Sequence, residues 1–181
     1  VVSLCGFSSS INSPEGLVVT NHVGALGSVQ FNSSAWIKYL EYGIRDATKG
    51  DELRAAPGSR VYVSTEVTDV TEAIRVGTEG MEPLARYELV QQRRKDIIAG
   101  CEETAGYRCQ VPGFYGGAQY KLIKRLEVRD VRLVYAPADS IGKYGGDIDN
   151  WQWPRHTGDF AFYRAYVAPD GSAAEFSEEN V

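Results

Sequence analysis

Gly16-Leu17-Val18-Val19-Thr20-Asn21-His22-Val23-Gly24 sets a short apolar, β-branched run against an abrupt polar pair. The run follows Ser13-Pro14-Glu15-Gly16, whose residues favour a tight turn, and a compact apolar run bounded this way predicts a buried strand over 17–20. His22 is thereby delivered at the end of a buried strand. An imidazole there can serve as a general base, because its ordinary pKa lies near neutrality. A hydrogen-bonded histidine closing a strand is the plainer alternative.

Working outward, Arg60–Val67, Tyr120–Ile123, Val131–Tyr135 and Phe160–Val167 also have strand composition, rich in Val, Tyr, Phe and Ile. Phe160, Phe162 and Tyr166 share one face of the last. Glu82–Glu103 is different: Tyr87, Val90, Ile97, Ile98 and Cys101 recur near a helical period amid charged residues, and Pro83 suits a helix start. The chain is therefore predicted to be mainly β with one main helix, a helical excursion spanning about 82–104. Residues 43–59 read as loop, as does the long segment 136–158. A connection that long is usually functional or disordered, and its aromatics and paired glycines argue for function.

At 181 residues, with 43% hydrophobic and 24% charged residues, the sequence has the length and composition of one globular domain. A formal net charge of −5 argues against nucleic acid as a partner. The basic residues of Gln91-Gln92-Arg93-Arg94-Lys95 read as a solvated helix face. No apolar run approaches a membrane span. Three cysteines are too few for a disulfide scaffold. A Cys101–Cys109 bridge would staple the helix end to the following loop and imply an oxidising compartment; two reduced thiols are the alternative. Cys5 has no evident partner. The sequence opens without Met or a signal peptide, which fits a fragment of a longer protein.

The second chemical position is Asp159, in Thr157-Gly158-Asp159 before the strand Phe160-Ala161-Phe162-Tyr163-Arg164. A carboxylate entering a buried strand needs a partner, and one useful partner is a histidine Nδ1–H. Capping of the loop is the plainer role. Histidine at one strand end followed later by aspartate at another strand's start matches the first half of a chymotrypsin-type triad. The expected contact is His22 Nδ1 to the Asp159 carboxylate at roughly 2.6–3.2 Å.

Two segments carry a family resemblance. Gly16–His22 resembles the G-L-V-hydrophobic-T-N-H-H segment of the bacterial dipeptidyl-peptidases of serine peptidase family 46. The block Ile141-Gly142-Lys143-Tyr144-Gly145-Gly146-Asp147-Ile148-Asp149-Asn150-Trp151-Gln152-Trp153-Pro154-Arg155-His156-Thr157-Gly158-Asp159-Phe160 is similar to that family's signature almost throughout. The first segment also fits trypsin-like and HtrA-like proteases; the second is long and specific. Leu133–Pro137, Cys101 to Cys109 and Val67–Thr71 add to the likeness, which covers the N-terminal part of a family member.

The resemblance implies a chymotrypsin-like fold: the N-terminal β-barrel of a double-barrel peptidase, with the second barrel and a helical domain lying outside this sequence. It implies release of dipeptides from peptide N-termini in the periplasm or a secreted setting. Asp159 becomes the triad aspartate, and Asn150 and Trp151 hold the substrate's α-amino group. An amide oxygen accepts from an ammonium, and an indole face attracts it. Trp153 reads as loop packing, and Gly145 and Gly146 as backbone geometry. Asp147, Asp149 and Arg155 read as a loop-fixing charge network. A metal site built from those carboxylates with His156 lacks ligand spacing, so neither metal nor cofactor is expected. The implied partners are the peptide N-terminus and the remainder of the same peptidase chain; a homodimer of the full-length enzyme stays open.

The sequence departs from the family pattern at the base. The family has two consecutive histidines, the second catalytic, whereas this chain has His22 alone, followed by Val23. An ungapped alignment from Gly16 to Gln30 puts Val23 at the catalytic position. Alignment on His-Val-Gly makes His22 the base and requires a one-residue contraction, which on a strand turns a side chain to the other face. The family's disulfide near this histidine is missing, with Phe7 and Gly24 or Val23 at its positions. No Gly-x-Ser-Gly nucleophile turn occurs in the sequence, so this stretch alone is expected to be inactive. Three functions follow: part of a serine-type dipeptidyl-peptidase with His22 and Asp159 as base and orienter, an inactive peptide-binding barrel, or a generic trypsin/HtrA-like protease fragment.

Overall fold

The computed structural model describes residues 1–146, 153, 156–168 and 177. In chain order the strands are β1 (Val2–Leu4), β2 (Phe7–Ile11), β3 (Leu17–Thr20), β4 (Ile44–Arg45), β5 (Leu53–Arg54), β6 (Val61–Asp69), β7 (Tyr107–Gln110), β8 (Gly113–Phe114), β9 (Gln119–Val128), β10 (Asp130–Ala136) and β11 (Ala161–Tyr166). The helices are α1 (His22–Asn32), α2 (Tyr39–Tyr42), α3 (Thr71–Arg75), α4 (Pro83–Glu102) and α5 (Asp139–Gly142). The chain divides into two compact units, 1–62 with 128–181, and 63–127.

In the first unit the strands are antiparallel and ordered β4-β10-β11-β3-β2-β1, with β5 also pairing β10. The expected mainly-β architecture is present. Among the described residues the antiparallel sheet is not closed: the order runs outward and does not return on itself. β4 and β5 have two residues each, too short to carry the ladder onward on that side. β1 and β2 join through Cys5 and Gly6, both at positive φ, as a tight two-residue hairpin requires. The core gathers Leu4, Val18, Ala25, Val29, Leu133, Ala161 and Tyr163 between the sheet and α1.

α1 was not anticipated. Gly24 and Gly27 lie inside it and weaken any sequence signal, since each costs a helix about 1 kcal/mol relative to alanine. Packing of Ala25 and Val29 and a hydrogen-bonded Ser28 compensate. The Ser28 hydroxyl accepts from Ala56 N–H at 3.0 Å and also bonds the buried Tyr163 phenol, whose pKa burial pushes up to about 12.

Arg164 sits in an apolar strand and is matched by a buried carboxylate. Its Nε donates to Glu52 Oε1 at 2.6 Å, and Tyr166 OH donates to Glu52 Oε2. Burial and the Glu52 charge both raise the Tyr166 pKa. Arg132, paired with Asp130 at 3.1 Å, lies 5.1 Å over the Tyr166 ring.

Nearby, Asp46 Oδ2 is buried and unpartnered. Burial pushes its pKa up to about 6, against a lowering by the Leu53 backbone hydrogen bond and with smaller upward contributions from the charges of Glu52 and Asp51. The folded state therefore binds a proton that the unfolded state has released at intermediate acidity. Stability from this group is greatest below the unfolded value and is lost as pH rises through about 6. Asp46→Asn is expected to raise stability at pH 7 by about 1 kcal/mol, after allowing for solvent at this half-buried position, and to leave stability near pH 4 almost unchanged. Urea unfolding at the two pH values measures this.

In the second unit the anticipated helix is α4. Pro83 stands in its first turn, and the Glu82 carboxylate accepts from Leu84 N–H at 2.9 Å. Cys101 in its last turn is disulfide-bonded to Cys109 in β7, with Cα atoms 6.2 Å apart, while Cys5 is free and exposed. The basic run is not simply a solvated face. Arg93 Nη1 donates to Ile74 O at 2.8 Å and Val76 O at 2.7 Å, and Arg94 Nε to Val111 O at 2.9 Å. Three carbonyls outside the helix are satisfied this way, which ties α4 to its neighbours. Among the described residues no helix is long and apolar enough to cross a membrane.

Candidate functional site at the end of strand β3

The register of two antiparallel strands brings the candidate residues together. Thr20 in β3 pairs with Ala161 in β11. In an antiparallel ladder, two residues beyond one partner face two residues before the other, so His22 meets Asp159. The sequence order of the two residues is thus converted into contact by one register.

The contact differs from the expected one. Asp159 Oδ1 accepts the main-chain N–H of His22 at 2.8 Å. His22 Nδ1 is buried and has no hydrogen-bond partner, so the imidazole–carboxylate bond predicted from the sequence is not formed. The reason lies in the chain's turn into α1 at His22. The first N–H groups of a helix lack internal acceptors, and the cap residue Asn21 supplies no side-chain bond to them. Asp159 supplies it from another strand, and its negative charge also suits the positive end of the helix. Asn21 contributes its carbonyl, which accepts from Gly24 N–H at 3.1 Å.

The imidazole is enclosed, with His22 only 1% exposed. Its wall is Gly142 at the end of α5. A Cβ added to Gly142 would lie 2.3 Å from His22 Cγ and 2.4 Å from Nδ1. α5 is held in place by its own turn, where Gly142 N–H donates to Ala138 O at 2.9 Å, and by Gly158 N–H donating to Ile141 O at 2.9 Å. A Cβ on Gly158 would come 2.8 Å from the Ile141 side chain, so both glycines permit the close approach. The next residue, Val23, is 45% exposed. The chain therefore presents valine to solvent and hides histidine.

Tyr135, Phe160 and Phe162 cluster on the neighbouring face, with Tyr135 and Phe160 stacked at 5.5 Å. Beside them Tyr42, Ile44, Pro137 and Ile141 line a recess of about 390 Å³. Asn150 and Trp151, the residues expected to hold an α-amino group, lie outside the described residues, as do Asp147, Asp149 and Arg155. Gly142 and Gly158 were read only as parts of a motif; their packing roles leave no pattern in a sequence. The Glu52 network had a visible sign in Arg164, a charge inside an apolar strand that must find a partner.

The profile of the family described as Peptidase S46 matches residues 1–181. An Asp/Glu-specific dipeptidyl-peptidase of Shewanella putrefaciens is 48% identical over 181 residues, all of this chain and 25% of the relative. Dipeptidyl-peptidase 7 of Porphyromonas gingivalis is 36% identical over 169 residues, 93% of this chain and 24% of the relative. The crystal structure of Porphyromonas endodontalis DPP11 in complex with substrate superposes with a TM-score of 0.83 at 36% identity, covering 99% of this chain and 27% of that one. The chain thus spans about a quarter of the length of the curated relatives it matches.

Proposed function

The chain belongs to peptidase family S46, and from that membership we propose that it is the N-terminal region of a dipeptidyl-peptidase-like protein that engages peptide N-termini without supplying the family's general base. The carrying observation is the pairing of an enclosed His22, its Nδ1 unpartnered, with an exposed Val23 at the position that follows. General-base work needs an imidazole within reach of the nucleophile's proton and oriented through its other nitrogen. His22 as placed lacks the second, since its Nδ1 has no partner, and its ring is enclosed.

Asp159 keeps the position of a triad aspartate and serves as the cap of α1. Asn150 and Trp151 are assigned to the peptide's α-amino group, the contact that sets how many residues extend towards a scissile bond. A peptide bearing Asp or Glu in its N-terminal dipeptide is the first ligand to try, given the Asp/Glu specificity in the name of the Shewanella relative. The Cys101–Cys109 disulfide supports an oxidising, extracytoplasmic location.

The competing reading keeps a serine-type hydrolase with His22 as base. It requires the ring to leave the Gly142 wall and turn to Asp159. The two readings separate in the full-length protein carrying this chain, assayed with a fluorogenic dipeptide bearing Glu at its second position. The expected rate is background for the natural sequence and about a hundredfold or more above it for Val23→His, which restores an imidazole at the exposed position. Calorimetry with the uncleaved peptide should show binding in both. Dipeptide release by the natural protein that disappears in a folded His22→Gln variant overturns the proposal.

A further inference from the structure

A second candidate site lies wholly within the unit of residues 63–127, in a groove of about 860 Å³ between α4 and the turn Tyr115–Gly117. Its charged lining is three arginines, Arg75, Arg86 and Arg94, against one glutamate, Glu79. That balance runs against a chain whose formal net charge is −5. Arg75 Nη1 donates to the lining residue Ala118 O at 3.3 Å, and Arg94 donates through Nε to Val111 O at 2.9 Å and through Nη1 to the lining residue Gln91 Oε1 at 3.2 Å. Both are thereby fixed along the groove with further donors left over. The Arg86 guanidinium bonds no described residue.

The opposite rim holds a residue in an uncommon conformation. Tyr115 has φ 52°, a left-handed geometry strained for a bulky side chain, and the residue is 84% exposed. Gly116 and Gly117 follow at positive φ and continue the turn. Tyr87 on α4 faces the same groove and is also exposed. Strain spent on displaying an unburied aromatic opposite a free guanidinium is unexplained by packing of this unit.

We propose that this groove is a docking site for an acidic polypeptide segment. Guanidinium groups match carboxylates in a planar, two-bond geometry, and tyrosine rings flank a peptide with apolar faces and a hydroxyl. Charge complementarity selects the occupant: carboxylate-bearing side chains on an extended chain, with Arg86 as the ion-pairing residue and Tyr115 as the flanking one. The lining residues all belong to the unit of residues 63–127 and include neither His22 nor the residues assigned to a peptide N-terminus.

The test is fluorescence anisotropy on the full-length protein with an N-acetylated peptide of alternating Glu and Ala. Acetylation removes the α-amino group, so binding at an N-terminus-dependent site does not contribute. Binding is expected, weakening at least tenfold with the Gln-Ala counterpart, at least tenfold with Arg86→Glu, and with rising salt. Tyr115→Gly removes the ring while relieving the left-handed strain, so affinity should fall severalfold with the melting temperature unchanged or raised. No binding, equal binding of the Gln-Ala peptide, or binding unaffected by Arg86→Glu overturns the site. Loss of affinity only in variants with a lowered melting temperature also overturns it.

Discussion

Glu52→Ala is expected to destabilise the first unit by about 3–5 kcal/mol, the usual cost of stripping one partner from a buried charged network. Glu52 is a buried acceptor for two side chains, the Arg164 guanidinium at 2.6 Å and the Tyr166 hydroxyl. Without it, Arg164 keeps, among the described residues, the Glu15 carbonyl at 2.8 Å and the solvent-exposed Glu15 carboxylate at 3.8 Å. Tyr166, at 0% exposure, loses the carboxylate that its hydroxyl bonds. Glu52→Gln preserves an acceptor and should lose less, about 1–2 kcal/mol. Leucine at both 52 and 164 should recover much of the Glu52→Ala loss, because it removes the uncompensated charge together with its partner. Removal of the Glu52 charge also takes away part of what raises the Asp46 pKa. The acid-range change in stability should accordingly move to lower pH in Glu52→Gln. Urea unfolding of the three variants across pH 4–8 measures both effects, and a Glu52→Ala loss below about 1 kcal/mol would sink the account of a buried network.

Gly142→Ala is expected to cost about 3 kcal/mol, at the upper end of the usual penalty for overpacking. The backbone is not the obstacle, since Gly142 is helical and not at positive φ. The obstacle is the imidazole, with ring atoms only 2.3–2.6 Å from the position a Cβ would take. His22 cannot retreat easily, because its N–H is held by Asp159 and α1 begins there. The origin of the cost is tested by pairing the change with His22→Ala. Removal of the ring should relieve the clash, giving a coupling of at least about 1 kcal/mol between the two substitutions. Additive costs would mean that the ring and Gly142 are not in contact. The same cycle bears on function, because an imidazole that is difficult to displace from Gly142 cannot readily turn to act as a base.

The sequence on its own determined several of the strands and the long helix. Leu17–Thr20, Val131–Tyr135 and the segment from Phe160 carry compact apolar runs, and α4 carries a helical period with proline in its first turn. These features are local, and alternation or periodicity records them directly. It also pointed to the family, through the Ile141–Phe160 block, and the family profile matches residues 1–181. α1 was hidden because its glycines speak against a helix while its stability comes from tertiary packing and from a capping carboxylate 137 residues away.

Only the tertiary structure decided what the histidine and aspartate do to each other. The register Thr20 to Ala161 makes them neighbours, but neighbours can meet through side chain or backbone. The helix start at His22 claims the Asp159 carboxylate for a main-chain N–H, and Gly142 closes over the ring. No local pattern encodes that choice, because it depends on which orphaned donor a distant acceptor reaches first. The stretch Gly16–Gly24 names a histidine; the fold turns it inward and leaves valine facing the solvent.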